Sequence, residues 1–340
     1  MVKKVSLIVA IVLLFTGPLA VYSQRRPAKQ ITIKLASMVP ANTPWGVALN
    51  RMAAEWSAAT NGEVRLQIYP NGTQGNEIDV LQKLNMNVVQ AAVFTSMGLN
   101  SIVPEIMTLS CPFLIRNDEE LTVVLNAVQP DLEAAINSQN YFSMALVRAG
   151  WVKIFSKAPV FVPADLKRMK VGCDPYEPAM TQVFKSMGYQ ITPVDGSRML
   201  IALNGGTVEA LYNSPIIAAG FQFFGVAKNM ATVNIAPFLA GIVINKYTWE
   251  MIPEQYRAAL LKITRQIGTE IGASLAQLER DAVTAMTNHG LVINEVDARQ
   301  EQEWYADLEK AIPALLDSST FDRATYDKID RLVKTYRSGR

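Results

Sequence analysis

The spacing of apolar residues changes repeatedly along the chain, and each change marks the boundary of a predicted element. In the first 150 residues, apolar runs with a period of two or no period predict strands, and runs with helical spacing predict helices. Thr43 followed by Pro44 is a typical helix start, and Asn61-Gly62 is a typical helix end. The predicted strands here are 31–38, 64–69, 90–95 and 141–148, and the predicted helices are about 44–60, 77–84 and 117–137.

The stretch 166–215 repeats the same alternation in a shorter form. It predicts strands at 169–171, 189–194 and 208–212, separated by a helix over 179–187 and by a second helix that Asn204-Gly205-Gly206 ends. Strands joined by crossover helices lie parallel, and ligands bind beyond the carboxyl ends of parallel strands. The loops at that edge, 172–174, 195–197 and 212–214, are therefore the first predicted site.

The last third of the chain is dominated by helices. An apolar strand is predicted over 238–246, and a helix then runs without interruption from Pro253 to Asn288, where His289-Gly290 ends it. At about 1.5 Å per residue this helix is roughly 50 Å long, more than the width of one lobe. Two further helices, about 298–316 and 322–336, have mixed charge and are expected on the outside.

Composition and the first residues of the chain indicate its size class, its cellular compartment and the kind of partner that is not expected. With 340 residues and 50% hydrophobic content, the chain is long enough for two lobes. Residues 1–23 have a basic start, an apolar middle and a small residue at the end, which is typical of a secretory signal peptide; an uncleaved membrane anchor is the alternative. The net charge is +2, and removal of two signal lysines leaves it near zero, so nucleic-acid binding is not expected.

Residues that carry catalysis are scarce. His289 is the single histidine and lies at a predicted helix end, which leaves no base for a serine or cysteine nucleophile. No HExxH or CxxC spacing occurs, so neither a metal nor a cofactor is expected. The glycine-rich turn 70–75 lacks the Lys-Ser/Thr that phosphate loops carry. The chain is predicted not to be an enzyme; an enzyme on a two-lobed scaffold is the disfavoured rival.

Several short motifs, in matching order, resemble one family. They are P-x-DLK-x-x-K at 163–170, F-K-S-M-G at 184–188, P-V-x-x-S at 193–197, AL-N-G-G at 202–206, the Asn-Ser-Pro turn at 213–215 and P-x-G-x-x-G at 70–75. Together they are similar to the solute-binding subunit of tripartite ATP-independent periplasmic (TRAP) transporters, of the DctP type. The resemblance implies a periplasmic protein that captures a small molecule by hinge closure and delivers it to two membrane subunits, one small with four helices and one large and multi-span. A periplasmic helical-repeat accessory protein is a possible further partner, and a sensor module that signals to a membrane kinase is an alternative role.

The fold that the resemblance implies is α/β and two-lobed, like periplasmic binding proteins. Each lobe is expected to hold a mixed, mostly parallel sheet, with the long helix spanning both lobes. The expected divisions are a signal peptide at 1–23, lobe I at 30–148 plus 238–278, lobe II at 149–237 plus 279–305, and outer C-terminal helices at 306–340. Cys111 and Cys173 would then lie in different lobes, where free, buried thiols are favoured over a disulfide bond.

Departures from the family pattern shape the predicted ligand. The family's carboxylate-binding arginine corresponds to Gly172, a second arginine to the segment 151–153, and a frequent aromatic to Gly196. Loss of such an arginine costs about 2–5 kcal/mol of affinity for an anion, and two glycines are expected to leave space. A larger, mainly apolar or amphipathic ligand is therefore predicted. The alternative is an organic-acid binder with a displaced cation, Lys153, Arg148 or Arg198.

The predicted site residues share a position at the edge between the lobes. The ligand-binding prediction comprises Met38, Trp45, Phe94, Thr95, Met97, Trp151, Lys153, Gly172, Asp174, Tyr176, Met180, Gly196, Ser197, Tyr212 and Asn213, with Phe221 as a further apolar wall residue. Aromatic and methionine side chains at these positions suit an adaptable apolar pocket.

Overall fold

A computed structural model describes residues 30–173, 175, 178–318 and 320–339. The predicted signal peptide, Asp174 and Tyr176 lie outside these residues. Within the described part of the chain, no helix has both the length and the apolar character needed to cross a bilayer.

Helices and strands alternate through most of the chain, as the spacing of apolar residues predicts. The strands are β1 (Ile31–Ser37), β2 (Val64–Tyr69), β3 (Ala91–Thr95), β4 (Tyr141–Ser156), β5 (Lys170–Cys173), β6 (Gln190–Pro193), β7 (Ala210–Asn213), β8 (Asn229–Ala231), β9 (Ala236–Asn245) and β10 (Val292–Asn294). The helices are α1 (Pro44–Ala59), α2 (Glu77–Asn85), α3 (Ser96–Asn100), α4 (Glu105–Thr108), α5 (Asp118–Ser138), α6 (Pro163–Leu166), α7 (Pro178–Ser186), α8 (Met199–Asn204), α9 (Pro215–Gly220), α10 (Lys246–Met251), α11 (Glu254–Thr287), α12 (Ala298–Glu309), α13 (Ile312–Asp317) and α14 (Arg323–Ser338).

The strands form one mixed sheet with two parts. The first part has the order β2-β1-β3-β9-β4 and the second continues as β4-β7-β5-β6, with β8 and β10 to the side of β4. β1 pairs in parallel with β2 and β3, and β5 pairs in parallel with β6 and β7. This confirms the predicted fold class and the parallel arrangement of the three strands that carry the predicted loops.

β4 belongs to both parts of the sheet. Its residues from Tyr141 to Val152 pair with β9, and those from Lys153 to Ser156 pair with β7. The predicted strand 141–148 is therefore the first half of one continuous strand of 16 residues, and residues 150–155 of this strand form the crossing from the first part of the sheet to the second. Gly150 follows a register shift in this strand and has φ of +119°. A Cβ there would lie 2.3 Å from Glu279 Oε1, so only glycine fits where α11 touches the crossing.

Each part of the sheet is covered by apolar side chains on both faces. In the first part, Phe94 lies in one buried cluster with α5, and Trp56 lies in another with α1 and α11. In the second part, Trp304 and Phe155 anchor two further clusters. A sheet with two parts, each with its own pair of cores, is the arrangement expected for two lobes.

α11 agrees with the predicted long helix, whereas the C-terminal helices differ from the prediction at one point. α11 has 34 residues, contacts α1 and β4 of the first part and α9 of the second, and so confirms the predicted long helix. The helix predicted over 298–316 is wrong in one respect: it is two helices, α12 and α13. Pro313 lies in the first turn of α13, where its ring prevents a continuous helix from α12.

Candidate ligand-binding cavity

A cavity of about 410 Å³ lies between the two parts of the sheet. Its walls come from the loop after β1, from α1 and from β3 on one side, from β5, β6, β7 and α9 on the other, and from β4, β9 and α11 between them. The apolar wall residues include Met38, Trp45, Leu49, Met52, Phe94, Met97, Met107, Val152, Ile154, Val171, Met180, Phe184, Met199, Leu211, Ile217, Phe221, Phe223, Phe238, Ile242 and Ile267. Most of the wall therefore offers dispersion contacts and few hydrogen-bonding groups.

No cation lines this cavity among the described residues. The lining residues include no lysine, arginine or histidine, and the two charged ones are Glu77 and Asp195. The internal positions outside the described residues are Asp174, Tyr176, Glu177 and Ser319, none of which is basic. The wall thus has negative groups without a positive one, which disfavours a bound anion.

Glu77 is held by the start of the neighbouring helix. Its carboxylate accepts hydrogen bonds from the backbone nitrogen of Thr95 at 2.7 Å and from Thr95 Oγ1 at 2.8 Å. Thr95 is also the N-cap of α3, and its Oγ1 atom accepts a hydrogen bond from Met97 N at 3.3 Å. Both Glu77 and Thr95 therefore have their main polar contacts inside the protein.

Asp195 connects the two halves of the protein at one edge of the cavity; each half is one part of the sheet with the helices that pack on it. It accepts hydrogen bonds from Ser197 N at 2.9 Å and Ser197 Oγ at 2.6 Å, and from Asn76 Nδ2 of the other half at 3.4 Å. Burial raises the pKa of its carboxyl group, but these hydrogen bonds outweigh burial and hold the pKa below its ordinary value. Asp195 is thus ionised at neutral pH.

A second contact between the halves lies at α9. A Cβ on Gly220, the last residue of α9, would lie 2.6 Å from Thr43 Cγ2 and 3.4 Å from Pro40 Cγ. Gly220 has no positive φ, so its backbone conformation does not require glycine. The close approach of Thr43 does require it, and the two halves therefore meet here as well as at Asn76 and Asp195.

Ten of the predicted site residues line the cavity: Met38, Trp45, Phe94, Thr95, Met97, Gly172, Met180, Gly196, Tyr212 and Asn213; Phe221 joins them. Ser197 instead lines a second, more open groove that shares Asn76, Val194 and Asp195 with the cavity. Trp151 and Lys153 are not brought to the cavity wall. Asp174 and Tyr176 lie outside the described residues.

Trp151 and Lys153 point away from the cavity because successive side chains of β4 face opposite sides of the sheet. Val152 and Ile154 face the cavity, so their neighbours in the strand face the opposite side. Trp151 Nε1 donates to Asp118 Oδ1 at 3.0 Å, and Lys153 Nζ donates to Thr232 O at 2.7 Å and Asn234 Oδ1 at 2.8 Å. Burial lowers the pKa of Lys153.

The displaced cations do not reach the cavity wall in the described residues. Lys153 is bonded as above, and Arg148 forms an ion pair with Asp118. Arg198 lines the outer groove beside Ser197. The structure thus offers no replacement, among these three, for the arginine whose position Gly172 occupies.

The two glycines differ in the space around them. A Cβ at Gly172 would lie 2.7 Å from Met199 Sδ and 2.9 Å from Val208 Cγ1, so the expectation that Gly172 leaves space is wrong. The thioether of Met199 fills that volume and becomes part of the cavity wall. At Gly196 no atom lies within 4 Å of a Cβ, so space is present there.

Several wall residues were missed by sequence reasoning. Val152 and Ile154 follow the alternation of β4 and could have been found once its inward face was known. Phe238 and Ile267, from β9 and α11, carry no local signal, because their position depends on how distant elements pack.

Features of catalysis are sparse around this cavity. The described residues hold no group of three or more His, Cys, Asp and Glu side chains arranged to bind a metal ion. His289 is exposed after the end of α11, where its Nδ1 lies 2.8 Å from Ala285 O. Cys111 and Cys173 are buried and are not joined in a disulfide bond, as predicted.

Comparison with known proteins places this geometry in context. A sequence model described as DctP, bacterial extracellular solute-binding protein, family 7, matches residues 35–318. The chain is 24% identical to the 2,3-diketo-L-gulonate-binding periplasmic protein YiaO of Escherichia coli over 71% of this chain and 74% of that protein. It is 21% identical to the C4-dicarboxylate-binding periplasmic protein DctP of Vibrio cholerae, covering 81% and 83%. A TRAP periplasmic solute-binding protein of Sulfurospirillum deleyianum, crystallised with bound succinate, shares the fold with a TM-score of 0.81 at 20% identity, covering 89% of this chain and 99% of that one.

Proposed function

Because the chain belongs to the DctP family of bacterial extracellular solute-binding proteins, family 7, we propose that it captures a mainly apolar or amphipathic small molecule between its two halves. This membership confirms the resemblance that the sequence motifs carry. The family consists of transport proteins rather than enzymes, and TRAP solute-binding proteins bind small molecules and deliver them to membrane subunits.

The main support for this ligand class is that no lysine, arginine or histidine lines the described cavity wall. A bound carboxylate would lose its hydration without gaining a charged partner, and Glu77 and Asp195 would repel it. An apolar molecule gains about 25 cal/mol for each Å² of apolar surface that it buries. The methionines in the wall allow it to adapt to an irregular apolar shape.

The relatives named above bind acids, and the difference lies at identified positions. The E. coli, V. cholerae and S. deleyianum proteins carry 2,3-diketo-L-gulonate, C4-dicarboxylates and succinate in their descriptions. By the family resemblance, Gly172 stands where such binders place the arginine that grips the carboxylate, and here the sulfur of Met199 lies beside it. A thioether cannot form the paired, charge-assisted hydrogen bonds of a guanidinium group.

The two parts of the sheet are proposed to be lobes that close by a hinge. Lobe I comprises 30–148 with 238–278, and lobe II comprises 149–237 with 279–305. The change of partner along β4 after Val152 and the start of β9 at Ala236 support these boundaries. Contacts at Asp195 and Gly220 that bridge the halves would bias the closed form when ligand is present.

Export and partners follow from the family role. The protein is proposed to be periplasmic, exported by residues 1–23, and to deliver its ligand to a small four-helix and a large multi-span membrane subunit. A helical-repeat accessory protein in the periplasm is a further possible partner. Family membership supports the compartment and the delivery role.

Mass spectrometry of the purified protein tests the ligand class. Native spectra should show a bound species, and extracts should contain a neutral or amphipathic molecule released on unfolding. Met97→Gln places an amide of similar length in the wall and should reduce the bound fraction, whereas Met97→Leu should preserve it. Recovery of a dicarboxylate or a sugar acid would refute the proposed ligand class.

A further inference from the structure

Phe113 has a backbone conformation that its side chain does not favour. Its φ is +57°, and the residue is buried, with 5% of its surface exposed. The other non-glycine residues with positive φ in the described part of the chain are all polar: Asn61, Asn71, Asn87 and Gln222. A bulky apolar residue rarely adopts this left-handed region. The surroundings of Phe113 must therefore hold the strain, and strain of this kind is typical of functional sites.

The side chain of Phe113 lies in the core of one half, whereas its neighbours in the chain lie in the core of the other. Cys111, Leu114 and Ile115 are buried in the cluster of the first half that contains the apolar face of α5. Phe113 is instead buried in the cluster of the second half that Trp304 anchors. One strained residue thus enters the opposite core.

Two contacts hold Phe113 in the second half. Its backbone nitrogen donates a hydrogen bond at 2.8 Å to the carbonyl oxygen of Ile235, directly before β9. Its ring forms an edge-to-face pair with Tyr305 of α12, with 4.9 Å between the ring centroids. From the same first-half segment, the guanidinium carbon of Arg116 lies 3.9 Å from the centroid of the Tyr305 ring. Two side chains of one half therefore contact one aromatic ring of the other.

The segment that carries Phe113 is firmly attached to the first half. Arg116 Nε donates to Phe113 O at 3.1 Å, and Arg116 N donates to Glu120 Oε2 at 2.9 Å. The buried carboxylate of Glu120 also accepts hydrogen bonds of 2.8 and 2.9 Å from Arg337, which in turn donates to Leu114 O at 3.1 Å. Charge-assisted hydrogen bonds of this kind fix geometry well. The segment can therefore transmit force between the halves.

Phe113 connects the halves where the strands cross. Ile235, which accepts from Phe113, donates from its own nitrogen to Val152 O at 2.9 Å, and Val152 belongs to the crossing of β4. Pro112, directly before Phe113, lines the cavity. The connection is therefore adjacent both to the crossing strands and to the cavity wall.

We propose that Phe113 is the fixed pivot of the hinge, an inference that rests on the proposed closure of the two halves. Its contacts with Ile235 and Tyr305 persist in the open and closed forms, whereas the contacts of Asp195 and Gly220 between the halves break on opening. The crossing strands β4 and β9 pair with each other and form one ribbon, which can both bend and twist. An attachment outside this ribbon restricts the movement to one axis, so the contacts at the cavity edge meet in register on closure.

Distances between the halves in the ligand-free, mature protein test the pivot. Spin labels are attached to Val47→Cys on α1 and Ile201→Cys on α8, whose side chains are 60% and 72% exposed, while the two native cysteines are buried. Phe113→Ala should broaden the distance distribution, because the halves then move about more than one axis. Leu114→Ala, the matched control, truncates the next residue inside the first half, so it should lower stability and leave the distribution narrow.

Tyr305→Leu tests the same contact from the second half. It keeps an apolar side chain but removes the ring that Phe113 and Arg116 contact, so it should broaden the distribution even if Phe113→Ala does not fold. Both variants should bind 4-phenylbutan-2-one, a neutral and mainly apolar probe, about 5-fold or more weakly by calorimetry, the lower end of typical coupling between sites. Leu114→Ala should bind it unchanged. In the unsubstituted protein, the Phe113 amide proton should exchange slowly with and without the probe.

The possible results separate the pivot from the proposed function. Narrow distributions in both Phe113→Ala and Tyr305→Leu, equal broadening in Leu114→Ala, or protection of the Phe113 amide only with the probe would overturn the pivot and leave the proposed ligand class intact. Failure of the probe to bind the unsubstituted protein would count against the ligand class, while the ligand-free distances still decide the role of Phe113. An unchanged distance distribution with bound probe would overturn hinge closure and the pivot together.

Discussion

Gly220 provides the sharpest test of the proposed closure of the two halves. Gly220→Ala adds one methyl group where Thr43 Cγ2 would be 2.6 Å away. Carbon atoms pack best at about 3.5–4.0 Å, so the two rims would have to move apart by roughly 1 Å. The backbone at Gly220 has no positive φ, and alanine is a better helix former than glycine, so folding itself should not suffer.

The expected loss of ligand affinity in Gly220→Ala follows from the contact with Thr43. Overpacking of a tight contact costs about 1–3 kcal/mol, and under the proposed hinge closure this cost applies only to the closed form, in which the two halves touch here. At 1.4 kcal/mol for each factor of ten, affinity for a ligand that requires closure should fall about 5- to 150-fold. The melting temperature of the ligand-free protein should be unchanged or slightly higher.

Thr43→Ser supplies the matched control. Serine lacks the Cγ2 atom but keeps the hydroxyl group, which accepts from Gly46 N at 3.2 Å and donates to Pro40 O at 2.8 Å. The double variant Gly220→Ala/Thr43→Ser should therefore recover most of the affinity, as measured by calorimetry with 4-phenylbutan-2-one. Small-angle scattering should show a ligand-induced decrease in radius of gyration for the double variant and a smaller one for Gly220→Ala. Unchanged affinity in Gly220→Ala, or a loss that Thr43→Ser fails to rescue, would refute the closure contact.

Three further changes test the crossing, the C-terminal helix and the wall. Burial raises the pKa of Glu279, so its ionised form is disfavoured in the folded protein. The free energy of unfolding should therefore rise as the pH falls from 7 through the raised pKa towards the ordinary value. Glu279→Gln should flatten this dependence, as measured by urea unfolding between pH 7 and 5. Arg337→Ala leaves the buried carboxylate of Glu120 without the two hydrogen bonds of 2.8 and 2.9 Å that it accepts from Arg337, and should lower the free energy of unfolding by about 3 kcal/mol; a loss below about 0.5 kcal/mol would contradict this. Gly172→Ala should destabilise by about 1–3 kcal/mol through contact with Met199, and Met199→Ala in the same chain should relieve part of that contact; additive losses in a thermal unfolding series would contradict the packing.

Much of the fold could be predicted because its signals are local. Thr43-Pro44 gives the start of α1 directly, and the strand β2 has the predicted bounds Val64–Tyr69. Parallel pairing of β5 with β6 and β7 follows from the helices between them, and it places Gly172, Asp195 and Asn213 at one edge of the cavity.

Other features depend on contacts between distant elements. The inward face of β4 could not be assigned, because the strand is buried at the crossing and a register shift at Arg148 and Gly150 interrupts its alternation. This is why Trp151 and Lys153 were expected in the site, although Val152 and Ile154 line the cavity. Sequence spacing likewise contains no information about which side chain fills the volume beside a glycine.

A titration of succinate and D-glucuronate into the mature, ligand-stripped protein tests whether the cavity has a site for an anion. We expect no saturable heat with either acid at millimolar concentration, since no lysine, arginine or histidine lines the described cavity wall. The same preparation should bind 4-phenylbutan-2-one, which shows that the cavity is accessible. Saturable binding of either acid at micromolar concentration would contradict the claim that this cavity has no site for an anion.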